Sequence, residues 1–94
     1  MAISEPRYRF HQAMVSGAPE SAGLYALWHE TEMIFLGRSE CIKEALLDRL
    51  NQLSAIATHY SWHVTLRAAG EEVDLLDELR RRGQPLPLLN RQPA

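Results

Sequence analysis

Ninety-four residues with 10 Lys and Arg against 12 Asp and Glu, a net charge of −2, leave room for one folded unit and no second core. A hydrophobic fraction of 46% with 23% charged residues is that of a globular chain, and no apolar run approaches the roughly 18 residues needed to span a bilayer. The slightly acidic balance excludes a chain that is basic overall, the footprint of tight non-specific nucleic-acid binding. It does not exclude a local patch, and Arg80-Arg81-Arg82 reads either as phosphate contacts or as a helix end favoured by the macrodipole.

The one cysteine, Cys41, rules out an internal disulfide and a thiolate zinc cage. Residues 1–10 carry Glu5, Arg7 and Arg9 and no apolar stretch of the kind a secretory leader needs, so a cytoplasmic location without membrane attachment is expected.

Along the chain, Arg7 to Phe10 has the length of a short strand and Phe10 to Val15 is compatible with a helix start, before the breaker cluster Ser16-Gly17-Ala18-Pro19. Leu24 to Trp28 and Met33 to Leu36 are apolar runs of strand length. The polar stretch His29-Glu30-Thr31-Glu32 joins them, and Gly37 closes the second run, which predicts a β-hairpin. Ser39 is placed to cap the next helix. Ile42, Ala45, Leu46, Leu50 and Leu53 recur at steps of three and four, predicting an amphipathic helix over about 40–54.

Tyr60, Trp62, Val64 and Leu66 alternate with Ser61, His63, Thr65 and Arg67, the period of a half-buried strand. After Ala69-Gly70, the residues Val73, Leu75, Leu76 and Leu79 predict a helix over about 71–82. Acidic residues stand at its start and arginines at its end, and Gly83 stops it. Pro85 and Pro87 then enforce an extended tail. The order β-β-α-β-α predicts an α+β fold with helices packed on a three-stranded sheet.

Gly23-Leu24-Tyr25 and, ten residues on, Phe35-Leu36-Gly37 resemble the paired tripeptides that name the GIY-YIG nuclease family. The stretch from Gly37 to Leu50 is similar to the helix that follows the second tripeptide. Glu72 to Leu76 resembles the helix bearing that family's metal-binding glutamate, and Leu86 to Asn90 its closing segment. Thr58 to Trp62 resembles a strand of small, stand-alone bacterial members. The resemblance covers about residues 17–91 of a single domain spanning 1–94.

Members of that family are Mg²⁺-dependent endonucleases. The resemblance therefore implies a tyrosine or histidine that helps to activate water, an arginine that meets the charge growing on the phosphate, and a glutamate that holds the metal as a Lewis acid. It assigns Tyr25, Arg49 and Glu72 to catalysis, Glu72 to the metal, and Gly37, Arg38 and Asn90 to the substrate. Three positions depart from the pattern. The second tripeptide's tyrosine is Phe35, and the catalytic arginine falls on Ala45. The helix position that bears His or Tyr one turn later is Arg49, which does not deprotonate in proteins and so cannot serve as a base. Loss of one such electrostatic contact costs about 10²–10³ in rate.

The expectation is accordingly a degenerate GIY-YIG-like protein without nuclease activity that binds nucleic acid or a protein partner. The alternative is a Mg²⁺-dependent endonuclease whose rearranged site uses Tyr25, Arg38 or Arg49, and Glu72. Tyr25, Gly37 and Glu72 are expected to line one concavity with Arg49 at its rim. Beside these functional readings stand structural ones. Tyr25 also reads as a packing residue, Glu72 as a dipole-facing carboxylate, Gly37 as a strand end, and Trp28 and Trp62 as sheet-packing rings rather than base-stacking platforms. His59 and His63 share a strand face, and two histidines alone do not make a zinc site.

Overall fold

The computed structural model describes Ile3 and residues 6–83. Their elements are β1 (Tyr8–Arg9), α1 (Gln12–Val15), β2 (Gly23–His29), β3 (Glu32–Ser39), α2 (Ile42–Leu53), β4 (His59–Val64) and α3 (Ala68–Arg81). The sheet is antiparallel throughout, in the order β1-β4-β2-β3. It has four strands where the sequence led us to expect three. The addition is β1, in which Tyr8 pairs with Tyr60 and Arg9 with His59. Backbone groups along β4 that would otherwise lie unpaired gain partners. The Tyr8 ring also packs at 5.5 Å from that of Tyr60.

The hairpin forms as expected, with a tighter link. Polar His29 and Glu32 still pair across it, leaving Glu30 and Thr31 to turn. Glu30 takes the left-handed conformation (φ 54°) and its N–H donates to Thr58 Oγ1. A bulge follows: Leu27 pairs with Phe35 and Trp28 with Met33, so Ile34 is the extra residue on β3.

Two helix starts differ from the sequence expectation. Cys41, not Ser39, precedes α2. Ser39 instead accepts the Cys41 N–H and donates to its carbonyl, a local turn that aims the chain into the helix. The first α2 amides are met by backbone, Ile42 N–H by Ser21 and Lys43 N–H by Pro19. Helix α3 begins at Ala68, so Ala69 and Gly70 lie inside its first turn rather than breaking the chain. Near a helix start the weak propensity of Gly is offset by packing further along, where Leu75 and Leu76 dock on the sheet. The Pro85–Pro87 tail lies outside the described residues.

The sheet separates two cores. On one face Tyr25, Leu27 and Tyr60 pack with Ile42 and Leu46 of α2 and Val15 of α1. On the other Leu24, Ala26, Trp28 and Leu36 pack with Ile3 and with Ala68, Leu75 and Leu76 of α3. Both faces of β2 are thus covered, which is why its apolar run does not alternate. The covering of β4 differs from its pattern. Tyr60 and Trp62 join the α2-side core, but the polar parity does not face solvent: Ser61 is fully buried on the α3 side. Strand β4 stops at Val64, and Leu66, which continued the apolar parity in the sequence, is 96% exposed.

Burial of Ser61 is made tolerable by its hydrogen bonds. Its hydroxyl accepts the indole N–H of Trp28 at 2.9 Å and donates to the Ile3 carbonyl. Burial, with Tyr8 adding to it, raises the Tyr60 phenol above its ordinary pKa, and that hydroxyl donates to the Met14 carbonyl at 2.7 Å. Ser61→Ala is expected to lower stability by about 1–3 kcal/mol in urea denaturation, because the Trp28 N–H is left without its acceptor. Adding Trp28→Phe removes that orphan, so the double variant should lose less than the sum of the single ones.

Candidate functional site

Strand parity decides which candidate side chains meet. Tyr25 on β2 pairs with Gly37 on β3 and with Trp62 on β4, and all three point to the α2 side. The missing side chain of Gly37 is what lets the Tyr25 ring lie where it does. A Cβ there would stand 2.9 Å from both Cζ and Oη of Tyr25 and 2.7 Å from Cε2 of Phe35. Gly37 is therefore more than a strand end: it is the floor under two rings, whose centroids are 5.8 Å apart. With 4% of its surface exposed, Tyr25 is a core residue that keeps one polar tip.

Arg49 reaches that tip from the third turn of α2. Its Nε–H donates to the Tyr25 hydroxyl at 3.4 Å, near the outer limit for a hydrogen bond. Its guanidinium carbon lies 4.6 Å above the Phe35 ring centre, and Nη1 donates to Gln52 Oε1 at 3.3 Å. Phe35, noted in the sequence only as a lost hydroxyl, is the shelf on which this cation rests. The helical i+3 position of Gln52 was legible beforehand; the contact with Phe35 was not, because it depends on how α2 crosses the sheet.

The remaining candidates lie elsewhere. Arg38 has the opposite parity, opposite Leu24, on the side of the sheet that α3 covers. There its Nε is 3.6 Å from the Glu72 carboxylate. Because α3 starts at Ala68, Glu72 sits just past the first turn and answers a guanidinium rather than the helix dipole alone. The single concavity expected for Tyr25, Gly37 and Glu72 is therefore divided. Tyr25, Gly37 and Arg49 meet on the α2 face, while Glu72 and Arg38 meet on the α3 face. Asn90 lies outside the described residues. On β4, His63 Nε2 is 3.6 Å from Glu71, and His59 Nδ1 is 2.9 Å from the Thr58 hydroxyl.

No protein-family model matches the chain, and no curated protein sequence matches it. Solved structures do. The GIY-YIG N-terminal endonuclease domain of UvrC from Thermotoga maritima, bound to magnesium as its catalytic divalent cation, is similar with a TM-score of 0.60 at 18% identity, over 72% of this chain and 88% of that one. A tyrosine-to-phenylalanine point mutant of the same domain gives 0.61 at 17% identity, and an asparagine-to-alanine point mutant 0.61 at 18%, each over 72% of this chain and 87% of the other. The chain therefore has a GIY-YIG-like α+β fold. At such identity the likeness establishes the architecture and leaves the chemistry to the residues present.

Those residues offer a magnesium ion one carboxylate, and that carboxylate has a cation beside it. Mg²⁺ requires oxygen ligands in near-octahedral array, and the protein usually supplies one or two carboxylates beside water and phosphate. Glu72 is the carboxylate at the expected place, and the guanidinium of Arg38 lies 3.6 Å from it. Among the described residues no three His, Cys, Asp or Glu side chains gather as a metal-binding group.

Gly37→Ala tests the shelf. The new methyl group must push the Phe35 and Tyr25 rings aside, with an expected loss of about 1–3 kcal/mol in urea denaturation. The aromatic proton resonances of both rings should shift, while those of Trp28 on the opposite face stay in place.

Proposed function

We propose that this chain is a non-cleaving GIY-YIG-like domain that binds nucleic acid. The observation that carries the reading is the placement of the two charged groups that hydrolysis would have to combine. Arg49 rests on the Phe35 ring beside the Tyr25 hydroxyl, whereas Glu72 is engaged by Arg38 on the far side of the sheet.

Phosphodiester cleavage requires its base, its charge-stabilising group and its metal to converge within about 3 Å of one phosphate. On the α2 face no described side chain beside Tyr25 offers a base. Ala45 supplies no guanidinium, and Arg49 donates only. A positioned cation without a base is suited to holding an oxyanion rather than to activating water. The architecture shared with DNA-cleaving domains supports nucleic acid as the thing held, while the net charge of −2 argues for a localised contact rather than broad electrostatic binding.

The expected outcome with single-stranded and duplex DNA and RNA is no cleavage above background in Mg²⁺ or Mn²⁺, together with measurable binding of at least one of these substrates. Phe35→Tyr combined with Ala45→Arg and Arg49→His is expected to stay inactive as well, because it leaves the Glu72 carboxylate paired to Arg38. Robust Mg²⁺-dependent cleavage by the unmodified chain, abolished by Glu72→Ala, would establish the endonuclease reading instead.

A further inference from the structure

We infer that the cleft between β1, β4 and α1 receives an unpaired base of a single-stranded nucleic acid, stacked against Tyr8 and Trp62. The inference deepens the nucleic-acid reading and rests on it for the source of the base.

The two tryptophans of the chain have different fates. Trp28 is 4% exposed, and its indole N–H is bonded to Ser61. Trp62 is half-buried, and its indole N–H has no hydrogen bond among the described residues. The same is true of the hydroxyl of Tyr8, whose ring is also half-buried. Both rings therefore keep an apolar body and an idle polar edge, the combination that serves contact with a ligand.

Strand geometry makes these rings one surface. Tyr8 pairs with Tyr60, and Trp62 stands two residues further along β4 on the same side of the sheet. The Tyr8 and Trp62 rings lie within 11° of parallel, with centroids 6.4 Å apart. Ala13, Met14 and Gly17 form the facing wall, and Met14 is 39% exposed. The Tyr60 hydroxyl ties that wall to the sheet by donating to the Met14 carbonyl. The cleft measures about 250 Å³, below the range of pockets that enclose a whole drug-sized ligand, and it suits one ring system.

Among the described residues no charged side chain lines it, so its ligand is neither a phosphate nor an ammonium group. What fits is flat, uncharged and aromatic, with acceptors at its edge for the indole N–H and the phenol. A nucleobase has each of these properties, and aromatic faces stack on any base. The base must be unpaired, because in a duplex neighbours cover its faces and its partner covers its edge. Position agrees with the reading. Trp62 pairs with Tyr25, whose hydroxyl Arg49 meets, so the cleft lies on the face of the sheet that carries Arg49. Elements β1 and α1, which supply Tyr8, Ala13 and Met14, precede the stretch that resembles the nuclease family, so the cleft is built on this chain's own N-terminal elements.

The test reads the two indole N–H resonances by ¹⁵N-edited NMR, with Trp62 as the probe and Trp28 as the internal control. Fluorescence anisotropy gives the affinities. The ligands are a mixed-sequence DNA octamer, its duplex, and an abasic octamer that keeps the phosphates without the bases. The single strand should shift Trp62, leave Trp28 in place, and bind about tenfold more tightly than the abasic strand or the duplex. Tyr8→Leu, which keeps an apolar side chain and removes the ring, should bring the single strand down to the affinity of the abasic one. The abasic comparison uses the unmodified chain, so it decides the matter even where a variant folds poorly.

Equal affinity for the three ligands, with Trp62 unmoved, removes the base from the cleft and leaves the nucleic-acid reading standing. If no strand binds but adenosine shifts Trp62, the cleft is a base site for a free nucleoside, and the nucleic-acid reading fails. No binding of any strand, with no response of Trp62 to adenosine, overturns both. A shift produced by a proline-rich peptide and by none of these ligands overturns the base assignment in favour of a protein partner.

Discussion

Residues Gly23 to Trp28 of β2 are buried without a break, and the strand is paired on both edges, with β3 on one side and β4 on the other. The rest of the molecule is arranged around that constraint. A strand with no free edge and no free face cannot shift its register by one residue without sending each side chain to the opposite core. The alternation of β2 therefore fixes which residues of β3 and β4 look toward α2 and which toward α3. Tyr25 and Gly37 go one way, Leu24 and Arg38 the other.

That division has a chemical consequence. An enzyme that hydrolyses a phosphodiester must bring groups of different character to a single phosphate, and misplacement by about 1 Å already costs on the order of 100-fold in rate. Here the cation on α2 and the carboxylate on α3 are each engaged locally, on opposite sides of the sheet, by neighbours that strand parity supplies. The Arg38–Glu72 pair is exposed enough at its arginine that it contributes little to stability. Its effect is to occupy the carboxylate. Arg49 has the reverse character, being held by contacts that leave its charge unanswered.

The likeness to the UvrC domain at 17% to 19% identity is a likeness of architecture. What this chain needs in order to build the architecture is a glycine where two rings must lie, an apolar β2, and helices with apolar stripes for each face. None of those requirements involves the positions now occupied by Phe35, Ala45 and Arg49 in their polar capacity. Phe35 and Ala45 both pack against the α2-side core, so the residues that depart from the nuclease pattern are compatible with the fold that hosts them.

Much of the architecture was legible in the sequence. The apolar runs at 24–28 and 33–36, the steps of three and four through α2 and the strong alternation in β4 are local patterns. They place the hairpin, the first long helix and the third of the expected strands, because hydrophobic period follows directly from backbone geometry. The paired tripeptides likewise marked Tyr25 and Gly37 as neighbours before their contact was known. The sequence offered a short strand at Arg7 to Phe10 but not its place in the sheet, since two residues carry no period and β1 gains its structure from the open edge of β4. Nor did it reveal that the polar side of β4 would bury Ser61: that required Trp28 to present its N–H from a neighbouring strand. Which charges meet was likewise decided only in three dimensions. Arg38 and Glu72 stand 34 positions apart and Arg49 and Tyr25 stand 24 apart, and their encounters follow from strand register and from the face on which each helix lands. Composition and period determine that the chain folds into helices on a sheet; the sheet's two-sidedness determines which of its charged groups share a side.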